Sequence, residues 1–184
     1  MTCFKFLSCE IFDNKIEISQ GLYFIPSGLD PAKNTEFYEY QVFSQIYEPL
    51  LTLDDDYQTL LPCLAETWSV SKENLTYTFH LRSDVYFHDG SKLTAEAAQI
   101  SFVRQIQLRP NNPLFNIIEK ITCVDSLTLQ IKLKNPYLPF LHSLASPDGL
   151  MVISQKALEK YGDDIDKNPV GTGPFYLDQW RENK

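Results

Sequence analysis

The 184-residue sequence has no run of lysine or arginine longer than an isolated pair, and its 16 basic residues face 24 acidic ones, for a formal net charge of −8. That balance excludes the basic stripe a phosphate backbone requires, so no nucleic-acid partner is expected. Apolar runs are short as well, and none is long enough to cross a membrane. The opening residues MTCFKFLSCEIFDNK are too interrupted to supply the ~7–15 apolar residues at the core of a secretory signal, so no complete signal peptide is expected. FLSC, residues 6–9, has the small-residue-then-cysteine look of a lipoprotein cleavage site but lacks the hydrophobic stretch that should precede it. Cysteine is sparse and scattered, with no CxxC or Cys/His spacing that suggests zinc or redox chemistry. Two readings of Cys63 and Cys123 stay open: separate thiols, or a disulfide in an oxidising compartment.

What is present is globular composition, 43% hydrophobic and 13% aromatic, enough for a packed core in one domain or two small ones. From Thr35 to Tyr47, apolar residues at Phe37, Tyr40, Phe43 and Tyr47 draw one stripe on a helix. KIEI (15–18), ETWSV (66–70), LTYTFHL (75–81) and LTLQIKL (127–133) alternate as strands do, with His80 on the polar face of the third. Asp89-Gly90 reads as a turn. Thr94 caps a helix that runs to Leu108 and stops at Arg109-Pro110, without the full capping box because Ala97 stands at its third position. LHSLA carries a short helical piece, and SQKALEKYG a helix with Gly162 at C′. Strands and helices mix without regular alternation, which supports an α+β or irregular α/β domain.

Chemical motifs are few. NPVGTGPF (168–175) lacks both the third glycine of a dinucleotide loop and the Gly-Lys-Ser/Thr of a P-loop, so it reads as a flexible passage into the strand FYLDQW. LDDDY (53–57) has neither glycine nor glutamate where a calcium loop needs them and reads as a solvated turn. No GxSxG, HExxH or locally placed cysteine accompanies His80, His88 or His142, so no catalytic residue, metal ligand or cofactor site is assigned. Tyr23, Phe24 and Tyr137, beside prolines and loops, either pack or line a cleft.

In order along the chain, SGLDPA (27–32), IYEPLLTLD (46–54), LPCLAETWSVSKENLTYTFHLRSDVYFHDGSKLTAEA (61–97), LTLQIKLKNPYLPFL (127–141) and NPVGTGPFYLDQW (168–180) resemble the extracytoplasmic solute-binding proteins, family 5, of dipeptide, oligopeptide and nickel ABC importers. The resemblance runs from about Lys15 to the end. It departs at Ala97 and Ala98, where an acidic and a bulky aliphatic residue are usual, which should weaken local packing or capping. It departs again at Asp84, where glycine is common.

The resemblance implies a mixed α/β fold of the periplasmic-binding-protein-like type II class: a first lobe plus an extra small domain, with the second lobe missing. Residues 1–47 would begin lobe I, 48–149 form the extra α+β domain, and 150–184 return to lobe I. It implies a substrate-binding component of an ABC importer, present as an N-terminal fragment or half of a split gene. Its partners would be a peptide or other small solute and membrane permease subunits, and its location periplasmic or otherwise extracytoplasmic. Such a chain alone should bind peptide weakly or not at all, since affinity needs both walls of the cleft. The competing reading is a non-transport interaction or sensory protein on the same fold, or a non-functional remnant. By the same resemblance Ser27, Leu29, Thr172 and Gly173 are the ligand-cleft candidates, each with a packing or turn role as its alternative. No nickel-ligand cluster supports the metal-binding branch.

Overall fold

The computed structural model describes residues 3–8, 18–21, 26–33, 37–146 and 149–180, with backbone only for 3–8, 18–21 and 37–38. The chain folds as β1 (Cys3–Ser8), β2 (Ile18–Gly21), α1 (Phe37–Phe43), β3 (Leu51–Leu53), β4 (Leu60–Pro62), β5 (Ala65–Val70), β6 (Thr76–Leu81), α2 (Ala95–Leu108), α3 (Pro113–Asn116), β7 (Ile118–Cys123), β8 (Thr128–Leu133), α4 (Phe140–Ala145), α5 (Gln155–Tyr161), a 3₁₀ turn (Gly162–Asp166) and β9 (Phe175–Leu177). This is the mixed α/β content expected. Residues 15–17 of KIEI, together with Cys9, Tyr23 and Phe24, lie outside the described residues.

Period-two alternation builds the largest sheet, antiparallel in the order β5-β6-β8-β7. In β6, Tyr77, Phe79 and Leu81 are buried while His80 is exposed, and β8 buries Leu129, Ile131 and Leu133 while Lys132 is exposed. The register sets Phe79 between Trp68 of β5 and Leu129 of β8, so the inward rows meet across three strands. Helix α2 covers this face. Its N-cap is Thr94, whose Oγ1 accepts from the Ala97 N–H at 3.1 Å. Ala97 and Ala98 are both buried, so their small side chains let the helix lie close on the sheet, where weakened packing was expected. Asp84, the other departure, is exposed and pairs with Arg82 at 3.3 Å.

β1, β3, β4, β7 and α3 are not anticipated by the pattern, and two of them have a local reason. β7 was hidden because a register shift between Ile118 and Lys120 interrupts its alternation. Helix α3 arises just past the Arg109-Pro110 stop: the Asn112 side chain accepts from the Leu114 N–H at 2.9 Å and Pro113 occupies the first turn. LDDDY is a turn, with Asp56 accepting from the backbone of Gln58 and Thr59. Gly162 caps α5 at φ +53°, one position earlier than expected.

Buried apolar residues separate into two cores. The large one gathers Phe79, Phe87, Phe102, Phe115 and Phe140 with the sheet's inward rows. The small one holds Leu29, Val42, Phe43, Ile46, Tyr47, Met151, Ile153, Ala157 and Ile165. Beside it lies a three-stranded antiparallel sheet, β2-β1-β9, in which the first described strand pairs with the last. The segment 150–153 belongs to both cores: Leu150 and Val152 enter the large one, Met151 and Ile153 the small one.

The loop carrying SGLDPA is fastened by charge. Asp30 has 0% exposure and forms a bidentate pair with Arg104 of α2, at 2.8 and 2.5 Å. Its Oδ1 also accepts from the Ala32 N–H at 2.9 Å, and its own N–H donates to Asp166 at 3.0 Å. Arg109 adds a bond to the Pro31 carbonyl at 3.4 Å. Removing one partner of such a pair strands the other charge in the interior.

The two cysteines described in full do not pair. Cys63 Sγ lies 3.7 Å from Glu48 Oε1, Cys123 Sγ lies 3.2 Å from Gln99 Oε1, and both are free thiols. Burial, and then the neighbouring Glu48 charge, push the Cys63 thiol up to about 12.

Two outcomes follow from these contacts. Arg104→Met should lower stability by about 3 kcal/mol in urea titration, and adding Asp30→Asn should recover part of the loss; an unchanged midpoint in the single variant would contradict the role given to the pair. Non-reducing peptide mapping should find no Cys63–Cys123 bridge, with Cys63 alkylated far more slowly at pH 8 than after unfolding.

Candidate functional site

Three segments distant in sequence converge where the two cores meet: the FHDG turn (87–90), the start of α5, and the GTGPF segment (171–175). The FHDG turn is closed by the Gly90 N–H donating to the Phe87 carbonyl at 2.9 Å, and Gly90 takes the positive φ of 76° that a side chain would oppose. Asp89 then reaches both ways. Its Oδ1 accepts from the Ser91 N–H at 2.9 Å and the Ser91 hydroxyl at 2.5 Å, and its Oδ2 accepts from the Ser154 hydroxyl at 2.5 Å. Ser154 Oγ meanwhile caps α5 by accepting from the Ala157 N–H at 3.1 Å. Lys156 Nζ donates to the Asp89 carbonyl at 3.3 Å. Burial pushes the Asp89 carboxyl up, but the hydrogen bonds from Ser154 and Ser91 and the Lys156 charge outweigh it and hold it below the usual carboxylate value. The turn assigned from Asp89-Gly90 is therefore present, and its aspartate also ties the turn to α5.

His88, beside it, grips the glycine segment. Its backbone N–H donates to the Gly171 carbonyl at 2.9 Å, the Gly171 N–H donates to Nδ1 at 3.3 Å, and Nε2 lies 2.8 Å from the Gly173 carbonyl. From the other side, the Gly173 N–H donates to the Ile46 carbonyl at 2.9 Å and the Phe175 N–H to that of Gln45 at 3.0 Å. The glycines are required by closeness. A Cβ on Gly171 would stand 2.0 Å from the Ile46 carbonyl oxygen and one on Gly173 2.6 Å from that of Gln45, both inside contact distance with backbone that cannot swing away. GTGPF is thus a tightly fastened arch with its Gly171, Gly173 and Phe175 N–H groups already committed, whereas a flexible passage was expected. β9 follows it over three residues, shorter than FYLDQW suggested.

The four cleft candidates fall in different surroundings. Gly173 is buried in the arch. Thr172 at its apex is half-buried, and its Oγ1 is buried with no hydrogen-bond partner among the described residues. Ser27 is exposed, and both its N–H and its hydroxyl donate to Glu39 of α1, at 3.1 and 2.7 Å. Leu29 has 0% exposure and packs in the small core, so the side chain fills the packing role and offers no surface. Tyr137 is partly exposed, and its carbonyl accepts from the Tyr77 hydroxyl at 3.3 Å. His80 and His142 stand apart: His80 lies 3.3 Å from the Thr128 hydroxyl, and His142 2.9 Å from the Gln58 carbonyl.

No sequence signal points to the contacts that hold this region together, made by Asp30, His88, Arg104 and Ser154; from the sequence His88 is weighed only as a catalytic group. Asp30 and Arg104 are 74 positions apart and His88 and Gly173 are 85 apart, so no local spacing could have announced either contact. Beside the FHDG turn an open hollow of about 250 Å³ is lined by Ser91, Lys92, Glu96, Gln155, Lys156 and Glu159, with both signs of charge and no preference for either. Among the described residues no group of three His, Cys, Asp or Glu could hold a metal ion. The geometry therefore provides a rigid backbone platform and, among the described residues, two buried hydroxyls without a hydrogen-bond partner, those of Thr172 and Tyr47.

Comparison with known proteins agrees with the motif series. The family described as bacterial extracellular solute-binding proteins, family 5 Middle, matches residues 59–184. The chain is 37% identical over 161 residues to the glutathione-binding protein GsiB of Pectobacterium atrosepticum, covering 85% of this chain and 30% of that protein. It is 35% identical over 178 residues to GsiB of Escherichia coli O1:K1, covering 95% of this chain and 34% of the relative. Among solved structures it resembles the ABC transporter-associated periplasmic binding protein DppA from Helicobacter pylori in complex with the peptide STSA, with TM-score 0.74 and 31% identity over 85% of this chain and 35% of that one. Haemophilus influenzae OppA in complex with RPPGFSPFR matches with TM-score 0.76 and 28% identity over 86% and 35%. The chain thus spans about a third of the length of these relatives. A family match over most of the chain, in a fold shared with these structures, makes this protein a member of the bacterial extracellular solute-binding proteins, family 5.

Proposed function

We propose that residues 1–184 form one wall of the ligand cleft in the substrate-binding component of an ABC importer, with a peptide as the solute. Membership of family 5 carries this reading, and relatives named for glutathione and for bound peptides support a peptide as the solute. The working location is extracytoplasmic and the working partners are permease subunits.

The proposed division is 1–47 and 150–184 for lobe I and 48–149 for an extra domain. It is supported by the small core, which gathers residues from both outer segments, and by the large one, which is built almost wholly from residues 50–145. Thr172 and Gly173 are retained as cleft candidates because the arch is rigid and its hydroxyl lacks a partner; Ser27 is retained because it is exposed. In such a binding protein the solute is enclosed between two walls, and enclosure supplies most of the selectivity. One wall leaves the solute in water on one side.

Two measurements test the reading. Calorimetry of the 184-residue chain with glutathione and with a pool of di- to pentapeptides should give no saturable binding at micromolar concentration, and micromolar binding by the chain alone would contradict the single-wall reading. Residues 3–180 spliced in place of the matching third of Escherichia coli GsiB should yield a protein that binds glutathione or short peptides, with a Kd of about 1 μM to 1 mM. A folded chimera that binds neither overturns the proposal.

A further inference from the structure

We infer that His88 is a positioning residue that works in one protonation state only: neutral, with its proton on Nε2, it holds the Gly171 N–H and the Gly173 carbonyl on either side of Thr172. The two ring nitrogens meet opposite demands. Nδ1 faces the Gly171 N–H at 3.3 Å, and an N–H can only donate, so Nδ1 must present its lone pair. Nε2 faces the Gly173 carbonyl oxygen at 2.8 Å, and a carbonyl can only accept, so Nε2 must carry the hydrogen. The other neutral tautomer would set lone pair against lone pair at one nitrogen and N–H against N–H at the other. An imidazolium keeps the Gly173 bond and loses the Gly171 bond.

The remaining contacts of the arch make this side chain decisive. Gly173 and Phe175 are bonded through their N–H groups to Ile46 and Gln45, which fixes the far side of the segment. His88 bonds the near side, with its backbone N–H on the Gly171 carbonyl. The Tyr176 ring of β9 lies 6.2 Å from the imidazole, centroid to centroid. Thr172 is therefore held at the apex of an arch tied on both flanks, with its Oγ1 buried and free of any partner among the described residues. The use of that apex as part of a cleft wall rests on the function proposed above; the tautomer and the two bonds do not.

The test needs no ligand. A long-range ¹H–¹⁵N spectrum of the full chain near neutral pH should show His88 as the neutral Nε2–H tautomer, with its signals identified by their loss in His88→Gln and His88→Asn. The two variants separate the bonds, since the Asn carbonyl oxygen replaces Nδ1 as acceptor and the Gln amide nitrogen replaces Nε2 as donor. Amide exchange at Gly171 should accelerate about tenfold in His88→Gln and change little in His88→Asn. A role in packing alone would move both variants alike. His88 found charged or as the Nδ1–H tautomer overturns the inference, as does equal release of Gly171 in the two variants. If neither variant folds, the spectrum of the unsubstituted protein decides.

Discussion

Segment 150–153 is extended, buried and shared, and the two cores meet along it. Its side chains alternate between them, so its backbone cannot be surrendered to water on either side. A buried peptide group without a partner costs more than a typical hydrogen bond returns, and here the partners are side chains of α2. Gln105 behaves as a peptide unit laid beside Met151: its Nε2 donates to the Met151 carbonyl at 2.6 Å and its Oε1 accepts from the Met151 N–H at 3.2 Å. Ser101 Oγ accepts from the Ile153 N–H at 2.9 Å. Between them the Val152 N–H turns the other way, to the Glu48 carbonyl at 3.1 Å. Both Ser101 and Gln105 have 0% exposure, so helix α2 supplies an edge of polar groups from inside the protein where a neighbouring strand would otherwise stand.

Everything placed on the small core depends on this junction. Ser154, next along, caps α5 and holds Asp89, while its N–H donates to the Val170 carbonyl at 3.0 Å and so begins the approach to the arch. Arg104, on the same helix as Ser101 and Gln105, crosses to Asp30 and fixes the other loop. Three neighbouring positions of one helix therefore hold the connecting segment and the loop that opens α1. A fixed backbone at the arch suits recognition, because groups already in place need no ordering when a ligand arrives.

The local elements were legible where one rule decided them. Alternation gave β6 and β8 because each has one buried and one wet face, and Thr94 announced α2 because a capping hydroxyl acts within three residues. β7 was not legible, since its bulge breaks the period, and α3 was not, since four residues just past the Arg109-Pro110 stop are too few to show a helical period. At the candidate site the motif series identified the family, and glycine at 171 and 173 marked a special backbone, but the reason was close approach to residues 45–47, a contact no local pattern encodes. Leu29 shows the converse: a position in a recognisable loop motif whose side chain is simply core. Asp30, its neighbour, has the buried charge, and only the fold brings Arg104 to it.

The account stands on the claim that segment 150–153 welds the two cores into one cooperative unit. The chain's two tryptophans report on it separately, since Trp68 packs against the large core and Trp180 against the small one. Urea unfolding followed by fluorescence in Trp68→Phe and in Trp180→Phe should give coincident midpoints, and the same pair carrying Gln105→Leu should show the Trp180 signal lost first. Separate midpoints with Gln105 intact would contradict the claim, as would coincident ones after it is replaced.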